Sequence, residues 1–350
     1  MKHFLLPLVL GLSLCSTSLM AQDMHWTLFE FSPTSINPAS TGNFYGTYRL
    51  SGLFRDGSFN IKNSIGGSTN TYKSVGASID GPLALGFRKQ DWIGVGGMFY
   101  GDRSGSLGLG LTYSMLSVAY HFSLDKQQTR IFSIGLQGGG GSRALKDFNE
   151  ARFEDGTMNG FMTNNMGEID KKGFFDLNFG LGYRAQVNKQ TALNIGLTVN
   201  QLSFAEQALL PQNNTQTKRD SGLTTRPLGI GLNGAFDFAL NKKWDLHPAF
   251  RVQTMGPALE MQLQGWLGYL LNEEEGTKLR FGLGYRIGDA AQVLLGLDIK
   301  DITVGLGYDI SLSDVTAVDQ SFGGIELGVT YIGKIFKEPK IKPVILCPRY

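Results

Sequence analysis

Between residues 44 and 332 one pattern recurs: apolar at every second position, small or polar in between. Residues 279–312 show it most clearly. Leu279, Phe281, Leu283, Tyr285 and Ile287 are apolar, and Arg280, Gly282, Gly284 and Arg286 separate them. Val293, Leu295, Leu297 and Ile299 follow, then Ile302, Val304, Leu306, Tyr308 and Ile310. A period of two is the mark of a β-strand with one apolar face. It predicts about fourteen strands, near 44–55, 72–84, 92–100, 107–122, 130–139, 173–185, 190–200, 227–240, 244–254, 259–271, 278–287, 291–299, 301–311 and 321–332. Most run to about 9–13 residues, beyond the usual five or six of globular sheets. Nine to eleven tilted residues are what a bilayer crossing needs.

Connections between these strands differ at the two ends. Links at 88–91, 125–129, 187–189, 241–243, 272–277 and at Lys300 are compact, as periplasmic turns of an outer-membrane barrel are. The two longest links, 140–172 and 201–226, fall at the opposite end and read as outer loops.

The face that is not apolar is rich in glycine: Gly108 and Gly110, Gly180 and Gly182, Gly282 and Gly284, Gly305 and Gly307. Among these glycines sit Asp176, Asn178, Arg184, Arg251, Glu260, Gln262, Gln264, Arg280, Arg286 and Asp298. A polar, glycine-lined interior with an apolar exterior suits a closed barrel in lipid, where closure satisfies every backbone N–H and C=O. The fold class expected is therefore all-β, a transmembrane antiparallel β-barrel of about fourteen strands, with a secreted sandwich or soluble barrel as the alternative. Asp176, Arg184, Arg251, Glu260, Arg280 and Arg286 are the candidate lumen charges, read as structural pairs across the lumen before a substrate or ion path. Phe175, Tyr183, Tyr269, Tyr285, Tyr308 and Tyr331 lie near strand ends on the apolar parity, where interface girdles belong.

Composition agrees with this reading. Glycine is 47 of 350 residues, about twice average usage. A formal charge of +2 gives no electrostatic footprint for nucleic acid. Two cysteines, Cys15 and Cys347, exclude a disulfide scaffold. At the N-terminus, Lys2, an apolar core over 4–14 and small residues up to Ala21 read as a secretory signal, 1–21. That core is too short to span a membrane, and the bulky Leu14 before Cys15 argues against a lipoprotein.

The ends outside the repeat are different. Residues 22–43 do not alternate, contain Pro33 and Pro38, and read as an ordered, plug-like or periplasmic lead-in before a barrel over 44–332. The tail, 333–350, carries Lys334, Lys337, Lys340, Lys342 and Arg349 with Pro339, Pro343 and Pro348, which prevent regular pairing. An even strand number puts both termini in the periplasm, where a basic tail suits docking on a partner.

The lead-in FEFSPTSINPASTG, with Phe31, Pro33, Asn37, Pro38, Ala39 and Gly42, is similar to the motif that opens mature members of the PorP/SprF family. These are outer-membrane proteins of the type IX secretion system of Bacteroidetes. YRLSGLFRDG after it resembles the family's first strand, SVAYHFSL (117–124) its fourth-strand ending, and Cys347, Pro348, Arg349 and Tyr350 its C-terminal signature. Ser32 stands where the family commonly has Asn, and Met24, where Pro is usual, follows Asp23. The resemblance implies a component or accessory of type IX secretion in the cell outer membrane. Such a protein assists export or surface anchoring of cargo proteins, gliding adhesins among them. It contacts lipid, cargo and periplasmic motor-ring or peptidoglycan-binding components.

Catalytic chemistry is not legible. His25, His121 and His247 are scattered without ligand spacing. GLQGGGGSR (135–143) lacks the Gly-Lys-Ser/Thr end of a phosphate loop and reads as a strand entering an outer loop. FGLGYRIG lies in mid-strand and fails the dinucleotide fingerprint, and NEEEG (272–276) is a solvated turn. The chain is read as no enzyme, with no cofactor and no metal, acting by docking. The alternative is a transport barrel for small hydrophobic solutes, of the fatty-acid-transporter type, which predicts a lumen gap beside the N-terminal segment.

Overall fold

A computed structural model describes residues 25–57, 71–83, 86–105, 109–145, 172–205, 225–312 and 323–335. The stretch read as a secretory signal, most of the tail and the Cys347–Tyr350 motif lie outside the described residues.

The alternation becomes fourteen strands: β1 Tyr48–Asp56, β2 Thr71–Leu83, β3 Trp92–Gly105, β4 Leu109–Ser123, β5 Arg130–Leu145, β6 Lys172–Asn188, β7 Thr191–Asn200, β8 Gly229–Ala239, β9 Trp244–Met255, β10 Ala258–Asn272, β11 Thr277–Arg286, β12 Ala290–Ile299, β13 Ile302–Ser311 and β14 Ile325–Gly333. Every strand pairs antiparallel with its sequence neighbours, and β1 pairs with β14 from Tyr48↔Gly333 to Asp56↔Ile325, closing the barrel. Closure removes the open edges that lipid does not tolerate.

Burial is the reverse of a soluble domain. Leu116 is 75% and Leu283 70% exposed, and Leu50, Phe54, Val75, Ile79, Phe99, Leu263, Leu295 and Leu327 also face outward. Arg49, Asp80, His121, Asp176, Arg251, Gln262, Arg286, Asp309 and Glu326 are buried inside. An apolar outer band around a polar interior is the arrangement of a membrane barrel. Aromatic pairs gather towards one rim: Trp244–Tyr269 at 4.7 Å, Tyr48–Tyr331 at 5.9 Å and Phe87–Tyr120 at 5.4 Å between ring centroids.

That rim carries the compact connections 84–91, 124–129, 189–190, 240–243, 273–276 and 300–301. Lys300, at φ +54°, takes the left-handed conformation its two-residue turn requires. At the other rim, four pairs of strand ends are separated by longer stretches of sequence, 57–70, 146–171, 201–228 and 312–324, and three by brief ones. The asymmetry expected from two or three loops thus rests on four connections.

Several boundaries differ from the sequence reading: β3 runs on to Gly105 and not 100, β6 to Asn188 and not 185, and β14 starts at Ile325 and not 321. β1 starts at Tyr48, not 44, because the chain reaches the wall only at Thr47, whose N–H donates to the Gly333 carbonyl at 2.8 Å; the Phe44 ring lies 4.6 Å from the Arg49 guanidinium. β5 continues to Leu145, so the glycine run 138–141 is strand and not the root of a loop. The reason is crowding: a Cβ on Gly139 would sit 2.1 Å from the Ser114 carbonyl oxygen, and one on Gly141 2.4 Å from the Phe174 ring.

Candidate functional site: the plugged bore

Residues 25–43 occupy the inside of the barrel. Three short turns follow one another: a 3-10 turn Phe29–Phe31, one α-helical turn Pro33–Ile36 and a 3-10 turn Pro38–Ser40. Pro33 and Pro38 each take a first-turn position, where a missing N–H costs nothing. Asn37 joins the last two turns, its side-chain oxygen accepting from the Ala39 N–H at 2.8 Å. An irregular segment can be buried here because the wall satisfies its polar groups.

The segment runs from the long-connection end of the bore to the compact-turn end. His25 pairs with Glu260 at 2.6 Å, near the start of β10, and its carbonyl accepts from Arg55 at 2.9 Å, near the end of β1. Thr27 and Leu28 donate their N–H groups to the two carboxylate oxygens of Glu326 at 2.8 and 2.7 Å. The Thr27 hydroxyl donates to Asp309 at 2.6 Å, and Gln262 and Gln264 both donate to the Thr27 carbonyl, at 3.1 and 2.5 Å. Trp26 packs edge-on against Tyr100, ring centroids 5.7 Å apart.

Half-way down, Phe31 rests on Gly305 and Gly328, where added Cβ atoms would lie 2.5 and 2.9 Å from its ring. Asn37 rests on Gly180 and Gly196, each with room for a Cβ only 2.2 Å from its amide, and it donates to the Leu181 carbonyl at 2.9 Å. Gly180, Gly196, Gly305 and Gly328 are therefore sockets for the lead-in, whereas Gly282 and Gly284 make room for Trp266 and Gln292 of the wall. At the lower end His121 bridges Ser133 (2.7 Å) and the Thr41 carbonyl (2.8 Å). Gly42, at φ +69°, donates to Asp80, which Arg49 grips with two bonds of 2.9 and 2.7 Å.

The lumen charges expected from sequence all face the bore, in separate groups. Arg286 contacts Asp289 at 2.6 Å, Asp309 at 3.2 Å and Glu260 at 3.9 Å, and Arg55 reaches the same Asp309 at 2.8 Å. Arg280 pairs with Asp298 at 2.6 Å, and Asp176 with Arg226 at 3.1 Å. Arg251 donates to Gln253, and Arg184 reaches Asn43 only at 3.5 Å. Pairing runs between nearby strands or onto the lead-in, since the lead-in fills the space that cross-lumen pairs would need. Asp309, Glu326, Arg55 and Asp80 were not singled out from sequence; their signal was polar character on the inward parity of a strand.

The family comparison agrees with this geometry. The sequence profile described as "Type IX secretion system membrane protein PorP/SprF" matches residues 18–331. This chain belongs to the PorP/SprF family. No curated protein matches the sequence. Among solved structures, the PorP/SprF barrel is similar to the toluene transporter TodX of Pseudomonas putida, with 13% identity, 86% of this chain and 93% of that chain covered, and a TM-score of 0.50. It is similar also to the toluene transporter TbuX of Ralstonia pickettii, with 10% identity, 87% and 93% coverage and a TM-score of 0.50. A TodX deltaS2 mutant, described as a monoaromatic hydrocarbon channel, gives 11% identity, 86% and 93% coverage and a TM-score of 0.53. At these identities the likeness is one of fold: these are outer-membrane transport barrels, and the PorP/SprF chain shares their architecture.

Beside the PorP/SprF lead-in, on the compact-turn side, lies a cavity of about 210 Å³ lined by Glu30, Phe31, His247, Trp266, Arg280, Gly296, Thr303 and Thr330. His247 bonds Glu30 through Nε2 at 2.7 Å and Asp237 through Nδ1 at 2.6 Å, so its imidazole is held between two carboxylates. Among the described residues no three His, Cys, Asp or Glu side chains are grouped to hold a metal.

Proposed function

We propose that this protein is a docking component or accessory of type IX secretion, which assists export or surface anchoring of partner proteins without catalysis. Membership of the family supports the secretion role. The observation that favours docking over conduction is the lead-in, held inside the bore by buried hydrogen bonds from Thr27 to Gly42. The rim with long connections faces outward in this reading and meets the exported protein. The compact-turn rim, with both strand ends and the tail, faces the periplasm and meets motor-ring or peptidoglycan-binding components. The test is deletion of the chain followed by labelling of surface proteins with a membrane-impermeant reagent. One or more exported proteins are expected to vanish from the surface; an unchanged surface overturns the reading.

A second reading, transport of a small hydrophobic solute, is favoured by the cavity beside Phe31 and Trp266. It predicts that Trp266→Ala changes uptake of a radiolabelled monoaromatic compound while surface proteins stay as they are.

A further inference from the structure

The compact-turn rim is divided in charge. On one side lie the turns that join β2 to β3, β4 to β5, β6 to β7 and β8 to β9, consecutive around the closed barrel. They carry Lys89, Lys126, Lys189, Lys242 and Lys243, all exposed, and none of these ammonium groups meets a carboxylate among the described residues. Arg88 is engaged by Asp91 at 2.8 Å, and the exposed Arg130 is offset by Asp125, which the Thr129 N–H holds at 2.8 Å. On the other side the pattern reverses. The turn between β10 and β11 presents Glu273, Glu274 and Glu275, all exposed. Lysines there are matched, Lys278 with Asp245 at 2.9 Å and Lys334 with Asp301 at 2.6 Å, and only Lys300 is left over among the described residues.

The four basic turns form one fixed surface. The Gln128 side chain donates to the Gln90 carbonyl at 2.9 Å and Arg88 to the Ser123 carbonyl at 3.0 Å, which joins the first turn to the second. The Gln186 N–H donates to the Thr129 carbonyl and the Ala239 N–H to the Gln190 carbonyl, both at 2.8 Å, which joins the second to the third and the third to the fourth. Within the turns, the side-chain oxygens of Asn188 and Asn241 accept from the N–H groups of Gln190 and Lys243 at 2.8 and 2.9 Å. Next to the cations of each turn stands an apolar side chain that is more than half exposed: Phe87, Leu124, Val187 and Leu240. The last three continue the outward parity of β4, β6 and β8, and the Phe87 ring stacks on the outward-facing Tyr120 at 5.4 Å.

We infer that the β2–β9 side of this rim gathers anionic phospholipids from the leaflet it enters, while the β10–β11 turn repels them. A cation just past an outward apolar side chain matches the two parts of a phospholipid. The apolar residue meets the acyl chain, and the lysine, its stem lying along the apolar surface, reaches the headgroup phosphate. A zwitterionic headgroup brings its own cation to that phosphate; an anionic one does not, and clustered ammonium groups at the membrane surface favour it. An acidic soluble protein would match the lysines but would leave Leu124, Val187 and Leu240 without a counterpart. The barrel is therefore surrounded by lipid of uneven composition, fixed in direction by its own sequence. This inference stands on the fold and the charge of the rim and does not use the secretion reading.

Tryptophan quenching tests this position by position. Trp26 and Trp266 are buried in the bore, Trp92 donates inward to the Gly42 carbonyl, and Trp244 packs outside against Tyr269. In a Trp244→Phe background, a tryptophan added at the rim is thus the one that meets lipid. Val187→Trp reads the basic side and Leu271→Trp the acidic turn. Each full-length variant is reconstituted in phosphatidylcholine vesicles containing brominated phosphatidylglycerol or brominated phosphatidylcholine, and quenching gives the relative binding constant of the two lipids. A preference for phosphatidylglycerol of at least threefold is expected at Val187→Trp, and none at Leu271→Trp. Adding Lys126→Gln and Lys189→Gln should lower the Val187→Trp preference at least twofold, and high salt should weaken it by screening. Equal values at the two positions, or a preference unmoved by the lysine substitutions, overturn the inference. Assembly is checked by the heat-dependent shift on gels, and if the lysine variant does not assemble, the comparison of the two positions decides.

Discussion

Asp309 ties the upper bore together: it takes the Thr27 hydroxyl on one oxygen and Arg55 and Arg286 on the other. Removing one member of a buried ion pair strands the remaining charge and costs about 3–5 kcal/mol. Asp309→Ala should therefore lower the temperature at which the barrel unfolds on gels and expose Trp26, read by its fluorescence. Phe31, 8% exposed, should cost about 3–5 kcal/mol as Phe31→Ala. The converse substitution tests its socket: Gly305→Leu places a side chain where the ring lies and should make residues 25–43 accessible to protease. The inward-facing glycines and charges were legible from parity alone. What each receives was not, because Phe31 and Gly305 are far apart in sequence and nothing local in either records the other. Motif residues such as Asn37 carry a family resemblance, but only the fold shows that Asn37 spans Gly180 and Gly196.

Strands were the most legible elements, since an apolar outer face over ten residues leaves a clear period of two. That parity makes its own prediction. Leu283→Arg, at a position 70% exposed on the outer face, should cost about 2–4 kcal/mol if it lies near the midplane, measured by urea titration in lipid vesicles. Where pattern failed, crowding or a change of path was responsible: the Gly138–Gly141 run stays in β5 because its neighbours press on it, and Phe44 to Gly46 precede the first bond to β14, from the Thr47 N–H to the Gly333 carbonyl. The compact turns hold a pH-sensitive element. The Asp91 carboxyl is kept below its ordinary range by hydrogen bonding to Arg88, helped by the Ser123 N–H and the Tyr120 hydroxyl, with burial opposing. A depressed carboxylate stabilises the fold above its unfolded pKa, near 3.9, and loses that contribution as pH falls through its lower folded value. Faster amide exchange over 86–91 is expected below about pH 4, and Asp91→Asn should show that faster exchange already at pH 7.

For the whole molecule, fold class and strand number were open to sequence reasoning, whereas the state of the bore was not. Hydropathy reports which face meets lipid and says nothing about what fills the centre. If the lead-in closes the bore, deleting residues 25–43 should turn a silent barrel into a conducting one in planar bilayers; equal conductance before and after would refute closure. The same segment bears on how the protein is built. Thr27 and Leu28 bond Glu326, a residue 299 and 298 positions downstream, and Glu326 belongs to the strand that meets β1. The earliest part of the described chain is thus anchored by the latest. Sealing the wall and stoppering the channel share one residue: opening the seam at Glu326 would also let go of the stopper.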